Sequence, residues 1–126
     1  MRIPAVLAAL ALIALSPSAL LAHVELAASS PAAGSEIKAP KTITLTFSMP
    51  VDQTTAAAAI IMTAMPGMPN HGEMPIRNFT SSWSADGKTM TLTLKKPLPT
   101  GTYEVRWQAA ARDAHAMNGM VSFEVS

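Results

Sequence analysis

One stretch of this 126-residue chain is built for soft-metal chemistry: Met62-Thr63-Ala64-Met65-Pro66-Gly67-Met68-Pro69-Asn70-His71-Gly72-Glu73-Met74-Pro75. From Met62 to Met74 it holds four methionines and one histidine within thirteen residues. Its prolines and glycines forbid a regular helix and disfavour a central strand, so Met65, Met68 and Met74 fall in what should be an exposed loop. Exposed methionine forgoes burial energy and invites oxidation. A thioether is a neutral, soft ligand that favours Cu(I), and an imidazole can complete such a site. The plainer alternative is an apolar loop packed on a partner or on the protein itself, and Met62, which follows Ile60-Ile61, can belong partly to the core. The chain has no cysteine, so any soft ligand must be methionine or histidine.

A second group of donors is harder in character. His23 follows a segment that reads as a secretory signal over residues 1–22: a positive start at Arg2, an apolar run from Val6 to Leu15, and a small-residue end at Ser18-Ala19-Leu20-Leu21-Ala22. Cleavage after Ala22 makes His23 the first residue of a mature domain over residues 23–126. A free α-amine ordinarily titrates at roughly 7.7–8.0, so that of His23 could then chelate a metal together with its imidazole. Asp113-Ala114-His115 adds a carboxylate and an imidazole two residues apart, which point the same way in extended backbone. Nitrogen and oxygen donors suit Cu(II). Alternatively Asp113 is a surface partner of Arg112 and His23 merely follows a cleavage site. Spacing alone does not bring residue 23 to residue 115.

The elements that must position these groups read as strands. Lys41–Phe47 alternates Ile43, Leu45 and Phe47 against threonines. Thr89–Leu94 does so with Met90, Leu92 and Leu94, Thr102–Gln108 with Tyr103, Val105 and Trp107, and Met120–Val125 with Val121, Phe123 and Val125. Period-two patterns rich in β-branched and aromatic residues predict half-buried strands. With His23–Ser29, Ala57–Thr63 and a piece near Ile76–Phe79 the total is about seven, separated by turns at Pro31–Ser35, Ala85–Lys88 and Pro97–Gly101. One-sided strands need a second sheet to cover their apolar faces, so the expectation is all-β, a β-sandwich or small barrel. Without Arg2, eight basic and eight acidic residues remain. There is no basic stripe to suggest nucleic acid and no acidic tail.

Taken together, His23, Ser30–Ser35, the Met62–Met68 run, Gly101-Thr102-Tyr103 through Trp107, and Asp113-Ala114-His115 to Gly119 resemble the CopC/PcoC periplasmic copper-resistance proteins, in order and across nearly the whole mature chain. The resemblance implies a seven-stranded, Greek-key, cupredoxin-like (Ig-like) β-sandwich with copper sites at opposite ends. It implies Cu(II) at His23, Asp113 and His115, and Cu(I) at Met62, Met65, Met68, His71 and Met74. One departure stands out: two residues, Pro69 and Asn70, separate Met68 from His71 where the family pattern leads one to expect one, which makes Met62 or His71 the first candidate non-participant. The function implied is a periplasmic carrier or buffer of copper, monomeric and not an enzyme, exchanging metal with an inner-membrane transporter of the CopD kind or a periplasmic copper oxidase. Two other readings compete: a copper redox enzyme of the histidine-brace type, and an Ig-like adhesion or structural module without metal.

Overall fold

The computed structural model describes residues 23–68, 72–112 and 114–126. The expected signal segment, His71 and Asp113 lie outside the described residues. Among the described residues nine strands form: β1 (Leu26–Ser30), β2 (Glu36–Ile37), β3 (Thr42–Phe47), β4 (Ala57–Ala64), β5 (Met74–Ile76), β6 (Phe79–Trp83), β7 (Thr89–Leu94), β8 (Gly101–Ala109) and β9 (Met117–Val125). They make two sheets, ordered β1-β3-β7-β6 and β2-β9-β8-β4-β5. The chain passes repeatedly from one sheet to the other, and all neighbours are antiparallel except β2 with β9.

The alternation read from the sequence is the alternation of burial. Ile43, Leu45 and Phe47 of β3 and Met90, Leu92 and Leu94 of β7 face Tyr103, Val105, Trp107, Val121 and Phe123 of β8 and β9. Each large aliphatic side chain withdrawn in this way contributes about 1.5–3 kcal/mol of transfer free energy. Aromatic rings reinforce this core: Phe47 meets Trp107 of the other sheet edge-on at 5.1 Å, and Tyr103 stacks on its in-sheet neighbour Phe123 at 5.7 Å. No side-chain charge is buried among the described residues, so the interior is held by packing alone.

Two differences from the expected seven strands have local causes. The piece expected near Ile76–Phe79 is two strands: β5 ends at Ile76 and β6 begins at Phe79, because the chain changes sheets there through a tight turn in which Phe79 N–H donates to Arg77 C=O at 2.9 Å. The other addition, β2, is only two residues long and pairs Glu36 and Ile37 with Glu124 and Val125. A two-residue strand is too short to carry a period. The run from Ala57, by contrast, is extended as expected, since β4 pairs along nearly all of β8.

Candidate metal centres

Strand direction sets where the two donor groups stand. Along β8, Gly101 and Thr102 mark one end and Ala109 the other, separated by ~26 Å of extended chain. The methionine segment leaves β4 beside Thr102, whereas His115 lies in the connection between β8 and β9, beyond Ala109. The donors therefore occupy opposite ends of the sandwich.

At the far end the chain brings its two described histidines together. His23 and His115 have ring centroids 6.3 Å apart and planes inclined by 22°. Both are exposed. Backbone contacts hold each ring's neighbourhood: Ser48 N–H donates to Glu25 C=O at 2.8 Å and Glu25 N–H to Ser48 Oγ at 3.0 Å, while Ala114 N–H donates to Ala111 C=O at 3.1 Å just before His115. An ion bonded to one nitrogen of each ring at about 2.0 Å separates the centroids by at most roughly 6.5 Å, so the observed spacing lies at the upper limit for one ion shared by the two rings. Among the described residues no three His, Asp or Glu side chains converge as a metal-holding group.

At the near end, β4 carries a bulge between Met62 and Ala64, where its pairing with β8 slips by one residue. Met65-Pro66-Gly67-Met68 then forms a tight turn: Met68 N–H donates to Met65 C=O at 3.1 Å, and Gly67 sits at φ +80°. Proline at the second position and a left-handed glycine at the third are what a type II turn requires. The turn makes Met65 and Met68 an antiparallel bridge pair, and directly opposed residues carry Cβ atoms about 4.5–5.5 Å apart, so the two side chains start from neighbouring positions. The chain returns at β5, where Met74 pairs with Met62.

The four methionines differ in access. Met68 and Met74 are 53% and 43% exposed and Met65 is half-buried, whereas Met62 is 3% exposed and belongs to the core. A Cβ built on Gly101 would stand 3.2 Å from the Met62 ε-methyl, so Met62 fills the space that Gly101 leaves. Its thioether is withdrawn from the surface where the other three stand.

One charged group near this end does not stand out in the sequence. Arg106, on the outward face of β8, forks onto Glu73 with Nη1–Oε1 3.2 Å and Nη2–Oε2 2.6 Å, and its Nε donates to Glu104 Oε1 at 2.9 Å. The guanidinium holds the Glu73 carboxyl below the usual carboxylate range, and the two carboxylates push Arg106 further up. The i, i+2 spacing of Glu104 and Arg106 was a visible signal; the contact to Glu73 was not.

Comparison with known proteins shows the family to which this chain is similar. The family model described as CopC domain matches residues 26–126. Copper resistance protein C of Pseudomonas syringae pv. tomato is 43% identical over 104 residues, covering 82% of this chain and 81% of that protein. The crystal structure of PcoC, a methionine-rich copper resistance protein from Escherichia coli, superposes with a TM-score of 0.75 at 37% identity, covering 83% of this chain and all of that one. A stretch of the copper transport protein CutJ of Bacillus subtilis is 27% identical over 110 residues, 86% of this chain but only 19% of that much longer protein. With a cysteine-free two-sheet sandwich, a turn that pairs methionines at one end and two histidines brought together at the other, this chain belongs to the CopC family.

Proposed function

We propose that this protein is a periplasmic copper carrier in copper resistance, which holds the metal without turning over a substrate. Cu(II) is bound between His23 and His115, with the α-amine of His23 freed by signal cleavage and with Asp113 as further donors. Cu(I) is bound by Met65, Met68 and Met74 with help from His71. Met62 supports that site as a core residue paired with Met74 across β4 and β5. The observation that carries the reading is the approach of His23 to His115 from the two ends of the chain, at a spacing that admits one ion.

Two sites of different softness suit the two oxidation states. Thioethers need no deprotonation and bind Cu(I); imidazole, amine and carboxylate favour Cu(II). Both donor groups lie at the rims of the sandwich, where a partner can take the ion by ligand exchange. A membrane copper transporter or a periplasmic copper oxidase is the proposed partner, and the occurrence of a stretch like this one inside a longer protein named for copper transport supports the former.

The test is metal titration of protein beginning at His23 beside a version with one added residue before it. Cu(II) is followed by electron paramagnetic resonance and Cu(I) by competition with a chromogenic chelator. The reading expects the added residue to weaken Cu(II) strongly and leave Cu(I) alone. Equal Cu(II) binding by both proteins would remove the terminal chelate. Oxygen consumption by the copper-loaded protein with a substrate would contradict the carrier role.

A further inference from the structure

The methionine segment departs from the sheet at the β4 bulge and must be brought back to it. The returning strand, β5, is weakly held: it is three residues long, lies at the edge of its sheet and contains Pro75, which has no N–H to donate. At that return stands the Arg106 fork. Glu73 is the residue immediately before β5, and Arg106 belongs to β8, with β4 lying between the two strands in the sheet. In the ladder Ala59 of β4 faces Arg106, and Ile61, two residues on along the same face, pairs with Pro75 just after Glu73.

We infer that Arg106 is a positioning residue for copper at the methionine loop: its fork on Glu73 clasps the returning limb to the outer face of the sheet and so holds Met74 in place relative to Met65 and Met68. The inference rests on the reading of this loop as the Cu(I) site. The turn at Met65–Met68 is closed by its own backbone hydrogen bond and its glycine. On the returning limb, the short β5 ladder and the clasp stand on either side of Met74. Glu104 Oε1 takes the Nε edge of the guanidinium, 2.9 Å from Nε and 2.8 Å from Nη2, and so steadies Arg106 while Nη1 and Nη2 meet Glu73. Pre-ordering the third thioether lowers the ordering cost that copper binding must otherwise meet. A solvent-exposed pair is individually weak, so the effect should be modest and should appear in the rate of Cu(I) release.

The experiment compares Cu(I) affinity and release in the purified protein, R106Q, E73Q and the reversal R106E/E73R, with M65L/M68L as a control for the site itself. R106Q and E73Q should each bind Cu(I) about two- to fivefold more weakly, and the reversal should recover most of the loss. Raising sodium sulfate should speed Cu(I) release from the unaltered protein but not from R106Q, because only a charge pair is screened. Sulfate is chosen because chloride itself coordinates Cu(I). Cu(II) binding and the thermal midpoint, read in the same samples, should stay put and report that each variant is folded. Unchanged Cu(I) affinity and salt response in R106Q, with M65L/M68L still defective, would overturn the clasp alone. A Cu(I) affinity indifferent to M65L/M68L overturns the site reading and the clasp with it.

Discussion

The imidazoles of His23 and His115 lie 6.3 Å apart, centroid to centroid, although one precedes the first strand and the other follows the eighth. Both rings are exposed at that rim. His115→Ala should therefore weaken Cu(II) by more than about a hundredfold, since losing only an outer-shell partner already costs up to that much. Cu(I) binding at the opposite end should be unchanged. Isothermal titration with each oxidation state checks both halves, and equal loss at both sites would contradict the separation of the two ends.

Met62 and Met74 face each other across β4 and β5 but have opposite fates, one in the core and one at the surface. Met74→Leu should lower Cu(I) affinity with little change in folding stability. Met62→Leu, close to volume-conserving, should cost less than about 1.5 kcal/mol of stability and leave Cu(I) affinity nearly intact. Met62→Ala should cost about 2–5 kcal/mol through the cavity it opens. Urea denaturation alongside chelator competition separates these effects.

Trp107 lies across Gly119 so closely that a Cβ added there would meet Cζ2 at 2.7 Å and Cε2 at 2.9 Å. The indole cannot simply retreat, because its other side meets Phe47. Gly119→Ala should destabilise the fold by about 1–3 kcal/mol, visible as a lower urea midpoint and an altered near-ultraviolet dichroism of Trp107. The Trp107 Nε1 has no hydrogen-bond partner among the described residues, so Trp107→Phe should cost packing volume but no hydrogen bond.

Tyr103 is fully buried and donates its hydroxyl to Pro99 C=O at 2.6 Å. Burial pushes the phenol up to about 12. An unfolded tyrosine ionises near pH 10, so the folded state keeps its proton over a range in which the unfolded state loses it. The resulting stability is fully present below pH 10 and is lost as pH rises from 10 to 12, by roughly 2–3 kcal/mol in all. Tyr103→Phe should lower stability at neutral pH by about 1 kcal/mol and flatten the alkaline decline, as followed by urea midpoints from pH 8 to 11.

Much of this protein was legible in the residues alone. Alternation assigned the inward faces of β3, β7, β8 and β9, because a half-buried strand must alternate whatever it pairs with. The absence of cysteine confined soft donors to methionine and histidine, and Met-Pro-Gly-Met carries the residues of a type II turn at the positions that turn needs. These are local properties, settled over a few residues by sterics and by the chemistry of each side chain. Only the tertiary structure decided the rest. Sheet order and register place His23 beside His115, send Met62 inward while Met74 stays at the surface, divide β5 from β6 and carry Arg106 across β4 to Glu73. Each of those relationships joins distant parts of the chain, and such partners are chosen by how two sheets pack face to face to bury their apolar sides, which no short stretch of sequence encodes by itself.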